Sequence, residues 1–203
     1  TEEFNTGVAI GAWSTGGNLN TARSELTGCG TKTAALAIGG SPGLAITEAY
    51  NGSAWTEVND LQTGRQSLSA AGTTTSALAF GGEPPTAITE LWNGTNWAEV
   101  NDLNTARLKP GAAGASNTAA LAFGGYPAVA ITETWNGTNW TEVNDMNTAR
   151  GYLGGVGTNT AALAFGGRNP VAFPPAGGAV TETWNGTNWT EVNDLNSARR
   201  ELA

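Results

Sequence analysis

Histidine is absent from this chain, cysteine and methionine occur once each, and charged residues make up only 13% of its 203 positions. Each shortage excludes something. Without histidine, the usual general base near neutral pH and the commonest metal ligand are missing. With Cys29 as the single cysteine, no internal disulfide forms. Cys29 stands where other repeats carry Ala, Gly or Ser, so it reads as a small buried residue. No apolar run approaches transmembrane length, and no secretory signal is present. No stretch sustains a 3.6-residue apolar period, which disfavours helices throughout.

What the chain has in quantity is glycine, 29 residues, and one motif repeated. An apolar run ending in Gly-Gly is followed by Thr-Glu, an aromatic with Asn-Gly, Trp-Thr-Glu-Val-Asn-Asp, and then an arginine. The glycine pairs are Gly39-Gly40, Gly81-Gly82, Gly124-Gly125 and Gly166-Gly167. The arginines Arg23, Arg65, Arg107, Arg150 and Arg199 follow one another at 42, 42, 43 and 49 residues. Self-similarity at this period means a solenoid or a propeller, and a single unit cannot bury its apolar faces without neighbours. One domain over 1–203 is therefore expected, divided into a partial unit 1–23, full repeats 24–65, 66–107, 108–150 and 151–199, and the start of another at 200–203.

The formal charge of −8 belongs to the repeat, since each intact copy carries two glutamates, one aspartate and one arginine. Acidity is thus spread around the molecule. No basic patch is available for nucleic acid, and anionic membrane surfaces are disfavoured for the same reason.

Each repeat holds four short strand candidates, in the third Gly111–Ser116, Thr118–Phe123, Ala130–Trp135 and Trp140–Val143. Four strands per unit of this length is the signature of a propeller blade. The Asn-Gly of Trp92-Asn93-Gly94-Thr95-Asn96-Trp97 suits a type I′ hairpin turn. Trp92 and Trp97 then share a face, directly opposite across a four-residue loop or diagonal across a two-residue one. Alternation places Leu121, Phe123, Ile131, Trp135 and Trp140 on one bulky face, with Ala120, Ala122, Ala130, Thr132 and Thr134 on the other. Bulky face against small face would fill the space between blades.

These features resemble the kelch repeat: an apolar strand ending in Gly-Gly, a strand-ending aromatic, a tryptophan a few residues on, and a later arginine. Trp-Asn-Gly here replaces the usual Tyr-Asp-Pro, and the unit is short for the family. The wording Thr-Ala-Ala-Leu-Ala-Phe-Gly-Gly with Trp-Asn-Gly-Thr-Asn-Trp-Thr-Glu-Val-Asn-Asp is similar to a kelch-like group of marine bacteriophage and environmental viral sequences. The resemblance implies an extracellular or virion-associated protein. Copper-radical oxidases on kelch-like propellers use histidine ligands, so their activity does not carry over.

Thr1–Asn5 matches a third strand and Trp13–Arg23 a fourth, while Arg199–Ala203 aligns with Arg23–Thr27, where a first strand begins. The expectation is an all-β propeller of four-stranded antiparallel blades, five in number. The fifth has outer strands from the N-terminus, with inner strands missing or supplied in trans. A four-bladed ring with surplus ends is the alternative.

Glu48, Glu90, Glu133 and Glu182 are expected on the bulky face, between an apolar residue and an aromatic one, and buried carboxylates need partners. The arginine of each repeat, Arg65, Arg107, Arg150 and Arg199 among them, is the candidate, giving structural Arg–Glu contacts between or within blades. Asn-Asp at 59–60, 101–102, 144–145 and 193–194 reads as an Asx turn ending a strand rather than a calcium loop, which needs more oxygen ligands. The long loop Arg168, Asn169, Pro170, Val171, Ala172, Phe173, Pro174, Pro175 breaks the periodicity, and insertions in repeat proteins often lie on a binding face. No cofactor and no enzymatic activity are expected. The expected role is structural assembly or adhesion, with another copy or another structural protein as partner. The alternative is a lectin-like module whose tryptophans stack on surface glycans.

Overall fold

A computed structural model describes residues 2–5, 12–168 and 178–202, with side chains from residue 16 onward. Among these the protein is all-β, with no helix. It contains β1 (Glu2–Asn5), β2 (Ala12–Thr15), β3 (Thr27–Thr31), β4 (Ala34–Ile38), β5 (Thr47–Tyr50), β6 (Trp55–Val58), β7 (Ser69–Thr73), β8 (Ser76–Phe80) and β9 (Thr89–Trp92). Then follow β10 (Trp97–Val100), β11 (Gly111–Ser116), β12 (Ala119–Phe123), β13 (Thr132–Trp135), β14 (Trp140–Val143), β15 (Gly154–Gly157), β16 (Ala162–Phe165), β17 (Thr181–Trp184) and β18 (Trp189–Val192). They form four four-stranded antiparallel meanders, β3–β6, β7–β10, β11–β14 and β15–β18, and a two-stranded sheet β1–β2. The complete sheets therefore number four, against the expected five blades, and the fifth unit is present only as a two-stranded sheet.

Gly-Gly ends the second strand of each sheet because the next linker crosses there. A side chain on Gly81 would lie 2.6 Å from the Arg107 carbonyl oxygen, and its φ of 68° is in the left-handed region. The neighbouring Gly82 amide donates to that same carbonyl at 3.1 Å. The first strands stand side by side, β3 against β7, β7 against β11 and β11 against β15.

The hairpin closing each sheet has the four-residue loop. Trp92 pairs with Trp97, the Asn93 amide donates to the Asn96 carbonyl at 3.3 Å, and the Asn93 side-chain oxygen accepts from the Thr95 and Asn96 amides. The type I′ expectation fails: Gly94 alone has positive φ, at 94°, because the asparagine side chain caps the loop from an ordinary backbone conformation.

The face assignment also needs correction. Ala120 is paired with Trp135, Ala122 with Glu133, Leu121 with Thr134 and Phe123 with Thr132. Cross-strand partners share a face, so the Trp135–Trp140 pair and Glu133 lie with the alanines, opposite Leu121 and Phe123. Gly124 and the two residues before Thr132 form the connection rather than paired strand, and that shifts the second and third strands by one relative to simple alternation. The alanines make room for the tryptophans of their own sheet. The Leu-x-Phe face of one sheet then packs on the Ala–Trp face of the next: Leu78 and Phe80 against Ala120, Ala122, Trp135 and Trp140. Leu36 and Ile38 meet Ala77, Ala79, Trp92 and Trp97 in the same way, as do Leu121 and Phe123 with Ala162, Ala164, Trp184 and Trp189.

Candidate functional site

Neighbouring sheets are joined by a polar set that recurs at each junction. Trp97 Nε1 donates to Thr47 Oγ1 at 3.1 Å, Trp140 Nε1 to Thr89 Oγ1 at 3.1 Å and Trp189 Nε1 to Thr132 Oγ1 at 3.0 Å. The arginine of each repeat reaches the glutamate of the next one, so the ion pairs run between sheets: Arg23–Glu48, Arg65–Glu90 at 3.3 Å, Arg107–Glu133 at 3.0 Å and Arg150–Glu182. All four glutamates are fully buried. Arg199 is exposed and meets no carboxylate among the described residues.

Backbone amides complete these sites. Glu90 accepts from the Gln62 amide at 2.7 Å and the Thr63 amide at 3.3 Å. At Glu48 burial opposes ionisation, but the Arg23 hydrogen bond, the Asn20 and Thr21 amides and the Arg23 charge outweigh it and hold the carboxyl below its ordinary value. Burial pulls the Arg65 and Arg107 guanidinium groups down, against the fields of Glu90 and Glu133. Carboxylates saturated in this way serve as struts.

The Asn-Asp dipeptides are likewise struts, not Asx turns. Asp102 Oδ1 accepts the Thr89 amide at 3.0 Å within its sheet, while Asn101 Nδ2 donates to Thr138 O and Asn139 Oδ1 in the next. No group of three or more potential metal ligands lies together among the described residues.

The regular pattern fails at one place, between β15–β18 and β3–β6. Residues 16–23 lie on β3–β6 as each later linker lies on the following sheet, with the Asn20 amide donating to Glu48 at 2.7 Å. By this equivalence β1–β2 stands, along the chain, where a third-and-fourth-strand hairpin would precede such a linker. At the other end, the Glu201 amide donates to Tyr152 O at 3.0 Å, as the Lys109 amide does to Ser67 O at 2.7 Å. Leu202 lies over Gly166 as Leu68 lies over Gly39. Along the chain, a fifth position thus has its outer strands and the entry to a first strand, but no first or second strand among the described residues.

Both walls of that position are less fully covered than their equivalents. On β3–β6 an open apolar cleft of about 360 Å³ is lined by Leu19, Leu26, Cys29, Ala35, Ala37 and Trp55, of which Ala37 is buried. Trp55 Nε1 is buried with no hydrogen-bond partner among the described residues, and the threonine equivalent to Thr47 is Thr1, which lies outside them. On β15–β18, Leu163 and Phe165 are only half-buried, while Leu78, Phe80, Leu121 and Phe123 are wholly buried. Val156 is 53% exposed. Burial pushes the Cys29 thiol up to about 12.

Of the long loop singled out by its length, Arg168 is described and its backbone pairs with Gly151. Asn169, Pro170, Phe173, Pro174 and Pro175 lie outside the described residues. The tryptophans offered to sugars are core: Trp92, Trp97, Trp135, Trp140, Trp184 and Trp189 are all buried. Missing inner strands were expected, but which residues face the gap was not legible in the sequence. They follow only from the register that puts Ala35 and Ala37 on the face turned to the fifth position.

Compared with known proteins, the chain matches no family model and no curated sequence.

Proposed function

We propose that this chain is a non-catalytic, kelch-like propeller scaffold with five positions, and that it works in assembly or adhesion through the fifth. The observation that carries the reading is the pair of incompletely covered walls. One presents Ala35 and the half-buried Trp55, the other the half-buried Leu163 and Phe165. Their complement is a single structure, the first-and-second-strand hairpin of this same repeat, with Leu-x-Phe on one face and Ala-x-Ala on the other. Main-chain pairing along the free edge of β1 would add to the side-chain fit, as in strand-addition complexes. The partner is therefore a hairpin of this repeat type, whether from residues that follow Ala203 or from a second polypeptide. We take the setting to be a virion or an extracellular surface, on the resemblance of the repeat wording alone.

The test is titration of the folded chain with a peptide of sequence 109–125, followed by the indole N–H resonance of Trp55. Saturable binding with a shift of that resonance supports the reading. A control peptide with Leu121→Glu and Phe123→Glu is expected not to bind. Equal binding of both peptides, or of neither, defeats it.

A further inference from the structure

Five equivalent residues, each two positions after a repeat arginine, have positive φ without being glycine: Glu25 at 54°, Ser67 at 55°, Lys109 at 44°, Tyr152 at 58° and Glu201 at 58°. Elsewhere among the described residues positive φ belongs to glycine. The five follow one another along a chain of backbone hydrogen bonds. The amide of Ser67 donates to Glu25 O at 2.9 Å, Lys109 to Ser67 O at 2.7 Å, Tyr152 to Lys109 O at 3.4 Å and Glu201 to Tyr152 O at 3.0 Å. The backbone of this series repeats, yet its side chains do not. While the arginines and glutamates of the struts recur unchanged, these positions read Glu, Ser, Lys, Tyr and Glu. A strained conformation kept for side chains that differ from copy to copy is a mark of a site rather than a scaffold.

Four of these side chains, Ser67, Lys109, Tyr152 and Glu201, line a cavity of about 290 Å³, with Ser69 and an apolar floor that includes Leu68 and Leu153. That volume suits one small ring. Lys109 Nζ stands 5.5 Å from the centre of the Tyr152 ring and has no carboxylate in ion-pair range among the described residues. Tyr126, 41% exposed, sits 6.1 Å from Tyr152, centre to centre. Glu25 accepts from Ser67 Oγ at 2.7 Å and Glu83 from Gln66 at 2.9 Å. Burial raises the Tyr152 hydroxyl, with Glu83 adding to it and Arg168 opposing, so both signs of charge lie close to this group.

The lining therefore combines the donor Lys109, the hydroxyl of Tyr152, the acceptor Glu201 and a tyrosine face, with Glu25 and Glu83 outside it. Carboxylates disfavour an anion and Lys109 disfavours a cation. A neutral ring whose hydroxyls both donate and accept satisfies all of them. We infer that this cavity is a binding site for a single neutral pyranose residue. It is lined by residues of the four complete sheets with Glu201 and Leu202, and it shares Leu26 and Gly28 with the cleft on β3–β6.

Calorimetric titration with methyl glycosides of glucose, galactose, mannose, N-acetylglucosamine, fucose and xylose tests it, with methyl glucuronate as the charged control. At least one neutral glycoside is expected to bind saturably, and Lys109→Gly and Tyr152→Gly are each expected to weaken it by about tenfold or more. Glycine suits the positive φ, so the melting temperature of both variants is expected to hold or rise. The inference is overturned if no neutral glycoside binds, if only methyl glucuronate binds, or if both variants bind as the parent does. Loss of binding together with a lowered melting temperature also overturns it, by making the series structural.

Discussion

Trp140 donates its indole N–H to the hydroxyl of Thr89 in the preceding sheet at 3.1 Å, and the same bond recurs from Trp97 and Trp189 but not from Trp55. Sheets in this protein are fastened to one another by buried polar contacts as well as by apolar packing. For Trp55 the equivalent threonine is Thr1, which lies outside the described residues.

Removing the hydroxyl should therefore be costly. Thr89→Val leaves the Trp140 indole N–H buried without an acceptor, at a cost of about 1–3 kcal/mol. Trp55→Phe removes a donor with no acceptor among the described residues, and should cost less than Trp97→Phe. Urea unfolding of the variants measures both differences.

The ion pairs should show the asymmetry of buried charge. Arg107→Met leaves Glu133 buried and unpaired, and is expected to destabilise by about 3–5 kcal/mol. Arg107→Met with Glu133→Leu should recover a large part of that loss, because no lone charge then remains. A double-mutant cycle in urea that gives additive losses would contradict the pairing.

Acid should act through Glu48. An unfolded glutamate titrates near about 4.3, and the folded carboxyl titrates lower. The unfolded chain thus takes up a proton that the native chain does not. The stabilisation is full above that unfolded value and is lost as pH falls through the folded one. Glu48→Gln should flatten the acid limb of melting temperature against pH, although it lowers stability at neutral pH.

Cys29, with its thiol pushed up to about 12, should be almost wholly protonated at pH 8. Alkylation by iodoacetamide should be slow in the native chain and should accelerate in denaturant. Rapid native labelling would show the wall around Cys29 to be more open than described.

The repeat was legible because the arginine spacing and Gly-Gly placement are chain-local, and the four strands of each unit followed from alternation and turn chemistry. Which face carried Trp135 was not legible. It depends on how many residues after Gly125 leave the ladder before Thr132, and the backbone bonds that decide this come from the next linker. An arginine was the expected partner of Glu133, but whether it came from the same repeat or a neighbour was open. The partner of Asn101 was hidden. Both contacts reach across a junction to a residue far along the chain. The positive-φ series was hidden because nothing in Ser67 or Lys109 as residue types announces a positive φ.

The most direct test of the account is to extend the chain after Ala203 with a copy of 155–167, so that a repeat hairpin can enter the fifth position, and to measure thermal unfolding. Covering Phe165 and the Ala35–Ala37 wall should raise the melting temperature by roughly 5 °C or more, and Trp55 should lose its solvent accessibility. An extended chain that melts where the parent does, with Trp55 unchanged, would contradict the five-position scaffold.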